Sequence, residues 1–169
     1  MNKDVLFRTG EFVFSYRVAG ILIKNEKILL QKPKNEDGYS IPGGHVIFGE
    51  TTAETLIREF KEEIKADIEI KKLIMVGENF FPWGNKLCQQ ISMYYTVSLC
   101  NEQQIPLDGT FEATDELGNR RIDLDLSWIP LSEIHNLTVY PTNVKDDLIT
   151  LPEHIKYFVY KEEQVLGKS

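Results

Sequence analysis

The sequence predicts an α/β sandwich built from strands, one central helix, more strands and a closing helix. Three observations carry that expectation. Runs rich in β-branched and aromatic residues lie on both sides of residues 51–64. Within 51–64 the apolar residues recur at helical spacing instead. Glycines and prolines punctuate the runs, yet no linker, repeat or low-complexity stretch divides them, so residues 1–169 read as a single domain.

Taken in order, residues 11–17 alternate and read as a strand, and the apolar run 18–23 continues it or starts another. Residues 24–27 (KNEK) make a polar turn, and 28–31 return as a strand, giving a hairpin. A loop over 32–38 leads through Tyr39 and Pro42 into the central segment. After the helix, 66–77 reads as a strand, 78–86 as an aromatic turn and 90–100 as a strongly marked strand. Residues 101–119 are polar, hold Pro106, Gly109 and Gly118, and read as a long loop carrying Glu112, Asp115 and Glu116. Residues 121–129 alternate as a strand, and 130–134 start a short helix or turn. One or two helices are expected over 141–151 and 152–161, with a frayed tail over 164–169.

The central helix has its own start signal. Thr51 and Glu54 form the Thr-x-x-Glu pair of a capping box. Ala53, Leu56, Ile57, Phe60 and Ile64 then make one apolar stripe, and Glu59, Glu62 and Glu63 share an acidic face. Three such carboxylates repel one another, so the isolated helix gains nothing from them. A hard divalent cation would turn that repulsion into attraction, since Mg²⁺ prefers carboxylate oxygens together with substrate phosphates. Alone, an E-x-x-E-E run reads more simply as a solvated acidic face.

The preceding loop changes that balance. Gly44 is followed by Glu50, Arg58, Glu59, Phe60, Glu62 and Glu63 at fixed distances. This resembles the Nudix hydrolase signature, G-x5-E-x7-R-E-U-x-E-E-x-G-U with U a bulky aliphatic residue, over 23 residues from Gly44 to Ala66. Three positions depart: Phe60 is aromatic where the family is aliphatic, Lys65 stands in place of the usual glycine, and Ala66 in place of a bulky aliphatic. The glycine suits a left-handed residue after the helix, so a lysine there should cost stability without removing a ligand.

The resemblance implies a Nudix-type α/β/α sandwich with a mixed, partly barrel-like sheet. It implies cleavage of a pyrophosphate bond in a nucleoside diphosphate linked to another group. Candidate substrates are nucleoside triphosphates, ADP-ribose and nucleotide sugars. Mg²⁺ would be the cofactor, with Mn²⁺ as a substitute. It would be held by the carboxylates of Glu59, Glu62 and Glu63 and by the backbone carbonyl of Gly43. Arg58 would hold the carboxylates in place, with Glu50 as partner. The general base is left open between Glu59 and a carboxylate outside the signature, Glu112, Asp115 or Glu116. Gly44, Arg17 and Lys32 are the candidates for meeting substrate, and Glu78 is a further acid that could face the cleft. Tyr16, Phe80, Phe81 and Trp83 could stack on a base, although packing is their simpler role. His45 lies in the signature loop, where it could approach phosphate.

Bulk properties exclude several alternatives. Net charge is -7, and no basic stripe suits long nucleic acid. No stretch approaches the apolar length of a membrane-spanning helix, and the first residues lack a signal-peptide core, so a cytoplasmic location is the expectation. Cys88 and Cys100 have no metal-ligand spacing and read as buried free thiols. They also offer no recognisable setting for isoprenoid diphosphate isomerisation. The alternative function is a catalytically inactive Nudix-like module that binds or senses a nucleotide. Such a module should have a broken acidic triad, whereas all three glutamates are present. A homodimer is a further possibility that the resemblance brings.

Overall fold

The structure is a computed structural model and describes residues 3–117 and 120–163. The chain opens with β1 (Leu6–Arg8), a short strand that the sequence reading missed. β2 (Phe12–Lys24), β3 (Lys27–Pro33), β4 (Tyr39–Ser40) and β5 (Gly43–His45) follow. Helix α1 (Thr52–Glu59) runs into a π-helical turn over Phe60–Ile64. Next come β6 (Ile68–Trp83), β7 (Lys86–Leu99), β8 (Thr110–Leu117), β9 (Arg120–Pro130) and β10 (Val139–Tyr140). Helix α2 (Lys145–Ile149) and strand β11 (Lys156–Lys161) close the described fold.

The sheet is mixed and open, not closed into a barrel. Its central path runs β10-β4-β3-β2-β7-β6-β11, with β9 on β3 and β8 on β9. β2 pairs with β7 in parallel, and β11 with β6, whereas β6–β7, β3–β9 and β8–β9 are antiparallel. β2 is buried on both faces, as a central strand must be. Val18 and Leu22 join one core with Leu56 and Phe60 of the signature helix and Leu124, Leu126 and Trp128 of β9. Ala19 and Ile21 join the other core with Ile28, Leu30, Val144 and Leu148. Helices therefore lie on both sides of the strands.

Phe60 fits because β2 carries Gly20 beneath it. A Cβ on Gly20 would sit 2.9 Å from the Phe60 ring, so the missing side chain makes room for the aromatic one. The signature helix starts and stops as its sequence requires. Thr51 Oγ1 accepts from the Glu54 N–H at 3.2 Å, and the Thr51 N–H donates to Glu54 Oε2 at 2.8 Å. At the other end Lys65 is left-handed, with φ 65° and ψ 30°. That conformation costs a residue with a Cβ about 1–2 kcal/mol, less the entropy a glycine would lose on folding. Lys65→Gly should therefore stabilise the protein by about 0.5–1 kcal/mol, read as a higher denaturant midpoint with unchanged slope.

Four expectations are corrected. Residues 101–119 are not wholly loop, since β8 pairs with β9 in the register Glu112↔Asp125 and Asp115↔Ile122. Residues 78–86 are mostly strand, because β6 runs on to Trp83 and turns only at Gly84, whose φ is 62°. Residues 156–161 are a strand where a helix was expected. Phe158 and Tyr160 point inwards from β11 while Tyr157 and Val159 are exposed, the alternation of a half-buried strand. Gly77 of β6 makes that docking possible, since a Cβ there would fall 2.3 Å from the Phe158 ring. Finally, Cys88 is buried but Cys100 is exposed. The expected frayed tail over 164–169 lies outside the described residues. No helix among the described residues is long and apolar enough to cross a membrane.

Candidate active site

The signature loop, the C-terminal end of its helix and β8 enclose a cleft of about 770 Å³. Glu59, Glu62 and Glu63 line it from the helix side, with Gly44 and His45 from β5 and Glu112 and Asp115 from β8. Glu62 and Glu63 lie within the π turn, whose i→i+5 bond runs from the Lys65 N–H to the Phe60 carbonyl. Such turns recur where a helix must re-aim functional side chains.

Arg58 organises the carboxylates. Its Nε donates to both oxygens of Glu50 at 3.1 Å, and its Nη1 donates to Glu59 Oε1 at 2.7 Å and Glu62 Oε2 at 3.1 Å. Thr55 Oγ1 fixes Glu50 further by donating to its Oε2 at 2.8 Å. Burial disfavours the guanidinium charge, but Glu59 and the hydrogen bonds to Glu59, Glu50 and Glu62 outweigh it and raise the pKa. A planar fork can make these contacts together, which a lysine cannot.

Glu63 joins that network through a hydrogen bond to Glu59. Its carboxyl is pushed far above the usual carboxylate range, first by burial and then by the neighbouring carboxyls of Glu59 and Asp115. A proton or a cation on these carboxyls would relieve their mutual repulsion. Gly44 is part of this packing, because a Cβ on it would lie 2.4 Å from Glu59 Oε2.

These oxygens suit a hard cation in their chemistry. Among the described residues no group of three or more His, Cys, Asp or Glu side chains stands already arranged as a metal centre. Glu59 and Glu62 are both turned onto Arg58 Nη1.

His45 is mostly enclosed. Its pKa falls to about 4, first because of burial and then because of Arg17, so the ring is neutral at pH 7. It lies 6.0 Å from the Trp83 ring, and its Nε2 has no hydrogen-bond partner.

The remaining candidates are scattered. Arg17 donates to the Ile41 carbonyl at 2.9 Å and lines a second cavity of about 390 Å³. Lys32 lies over the Tyr39 ring at 5.4 Å and does not line the acidic cleft among the described residues. Of the three residues expected to meet substrate, only Gly44 lines that cleft. Glu112 reaches its rim but is paired with Lys34. Glu116 belongs to β8, and its side chain lies outside the described residues. Glu78 accepts from the Tyr157 hydroxyl at 2.7 Å, away from the cleft. Phe81 lines the second cavity, and Tyr16 packs against the core. Sequence reasoning missed Asp4 and Arg121, which both line the cleft. Asp4 is brought there by an isolated bridge to Ile47, for which the sequence carries no signal. Arg121 opposes Glu116 in the β8–β9 register, so recognising that hairpin would have found it.

Fold and site together define a family. The NUDIX domain pattern matches residues 15–150, more than half of the chain, and the chain belongs to the Nudix family of hydrolases. It is 44% identical over 62 residues to an ADP-ribose pyrophosphatase of Methanocaldococcus jannaschii, a match covering 35% of this chain and 37% of that protein. The chain therefore spans little more than a third of that relative's length. A MutT protein from Bacillus halodurans shares the fold with a TM-score of 0.57 at 17% identity, over 88% of this chain and 92% of that one. An ADP-ribose pyrophosphatase from Streptococcus suis aligns with a TM-score of 0.54 at 14% identity, over 86% and 98% of the two chains.

Proposed function

We propose that the protein hydrolyses a phosphoric anhydride bond in a nucleoside diphosphate linked to another group, with a divalent cation as cofactor. The observation that carries this reading is the juxtaposition of Glu59, Glu63 and Asp115 in one partly buried cleft. Glu59, Glu62, Glu63 and the Gly43 carbonyl would hold the cation. When bound, it would neutralise phosphate charge and polarise the bond to be cleaved.

The chain's own groups supply the rest. Arg58 orients Glu59 and Glu62 without needing to touch substrate. Arg121, whose Nε lies 3.4 Å from Asp123 Oδ1, would offer its guanidinium to a phosphate entering the cleft that Glu59, Glu62, Glu63 and Asp115 line. Glu59 and Asp115 both bond the Glu63 carboxyl, and Asp115 is the preferred acceptor for a proton of the attacking water because Glu59 is further engaged by Arg58 and packed against Gly44. His45 stays neutral and offers no charge to the phosphates. The family match and the similarity to an ADP-ribose pyrophosphatase support a small nucleotide as substrate.

Product release should be measured from nucleoside triphosphates, ADP-ribose, nucleotide sugars and dinucleoside polyphosphates, with Mg²⁺, with Mn²⁺ and with chelator. The expected result is cation-dependent turnover of one class, lowered about 10²–10⁴-fold by Glu62→Gln or Asp115→Asn. Turnover that survives chelation, or that Glu62→Gln leaves intact, would contradict the reading.

A further inference from the structure

Among the described residues, the non-glycine residues with positive φ are Asn25, Glu26 and Lys65. Asn25 and Glu26 form the two-residue turn between β2 and β3, where a tight hairpin demands that geometry. Lys65 has no such reason. It ends the signature helix, where a glycine would sit without strain, and it lines the acidic cleft. A residue held at a conformational cost beside a reaction cleft points to a role in that cleft.

The helix end alone does not account for it. A lysine anywhere in the last turn complements the helix dipole, and Lys61 already does so while paired with Asp67 away from the cleft. The Lys65 ammonium donates to the Glu62 carbonyl oxygen, which anchors its side chain beside the carboxylates. An ammonium has three donors, so this bond leaves two for a ligand.

The cations on the cleft wall differ in how far they are engaged. Arg58 spends its Nε and Nη1 on Glu50, Glu59 and Glu62. Arg121 Nε lies beside Asp123. Lys65 bonds no carboxylate among the described residues. It also sits at the mouth. The Glu59 side chain is 12% exposed and that of Glu62 is 61% exposed, so the carboxylates climb from floor to rim, and Lys65 is exposed beside the last of them.

We propose that Lys65 is a specificity residue, and that it binds a third phosphate which the nucleotide carries beyond the diphosphate to be cleaved. The inference rests on the hydrolase reading for the kind of ligand. A divalent cation on the glutamates would meet the charge of the diphosphate. A further phosphate would enter a cleft walled by Glu62, Glu112 and Asp115, and the Lys65 ammonium is the group placed to receive it. A neutral ribose or sugar in that place gains nothing from the charge.

The test is equilibrium binding, in Mg²⁺, of methylene-bridged analogues of ADP and ATP, whose bridged bonds resist cleavage. The native protein should bind the ATP analogue about 3–10-fold more tightly, between the strength of an exposed ion pair and that of a charged hydrogen bond. Raising the salt concentration should compress that ratio. Lys65→Gly and Lys65→Gln differ in backbone strain but both lack the charge. Each should bring the ratio close to one and leave binding of the ADP analogue unchanged, whereas Lys65→Arg should keep most of it. A purely structural lysine would alter melting without moving the ratio. Equal binding of the two analogues by the native protein, or a ratio that survives both uncharged variants, would overturn the proposal. Where hydrolysis is intact, that result removes the role of Lys65 alone. Neither binding of the analogues nor hydrolysis of any nucleotide would remove the hydrolase reading and this inference together.

Discussion

Gly44→Ala should lower turnover about 10³-fold, nearly as far as removing the Glu59 carboxylate itself. The reason is geometric. A Cβ on Gly44 would fall 2.3 Å from Glu59 Cδ and 2.4 Å from its Oε2, and real Cβ atoms do not approach so closely. The atoms it meets are the end of a flexible side chain, so Glu59 would swing aside and the fold would survive. The carboxylate would then no longer lie where Arg58 now holds it. Misplacing one charged group in such a site forfeits several kcal/mol of transition-state stabilisation, and each 1.36 kcal/mol is tenfold in rate. Gly43 provides the contrast. A Cβ there would lie 2.0 Å from the Val18 carbonyl oxygen, in the backbone of the central strand, so Gly43→Ala should damage β5 pairing and folding. Steady-state kinetics together with thermal melts separate the outcomes: Gly44→Ala should melt like the native protein and turn over poorly.

Glu63→Gln should stabilise the cation-free protein while removing activity. Burial, Glu59 and Asp115 raise the Glu63 pKa in the folded state above its ordinary value of 4.5. A raised carboxyl favours folding fully below the unfolded value, and that contribution is lost as pH rises towards the folded one. The native protein without cation should therefore lose stability from mildly acidic pH towards neutrality. The glutamine variant should lack that slope and melt a few degrees higher at pH 8, a gain of about 1–2 kcal/mol. Adding Mg²⁺ should stabilise the native protein through preferential binding to the folded state and leave the variant nearly unmoved. A variant that melts lower than the native protein in chelator at pH 8 would show that the cleft is not under charge strain.

The site was legible in sequence wherever one local segment sets the geometry. Thr51, Glu54 and the apolar spacing mark the helix and its start without help from the rest of the chain, but not the π turn over Phe60–Ile64 that carries Glu62 and Glu63. Lys65 was readable for the same reason, since its left-handed conformation follows from the helix ending there. Long-range pairing was less legible. Phe111, Ala113 and Asp115 share one face of β8 at period two, but only four residues, 116–119, separate Asp115 from the start of β9 at Arg120, and the segment's composition resembles a loop. Strand β11 was misread because K-Y-F-V-Y-K follows a proline and a charged turn, and its parallel docking depends on Gly77 far upstream. The second cavity had no local signal at all. Arg17, Asn79, Gln90 and Tyr160 come from four strands and meet only through sheet order.

The central claim is that the acidic cleft is a cation site serving phosphate chemistry. The most direct test is a titration of the metal-stripped protein with Mn²⁺, followed by electron paramagnetic resonance, with Mg²⁺ as competitor. The native protein should bind Mn²⁺ in competition with Mg²⁺, and the pair of substitutions Glu59→Gln and Glu63→Gln should weaken that binding at least about tenfold. Mn²⁺ binding that is absent from the native protein, or undiminished when both carboxylates are gone, would contradict the account.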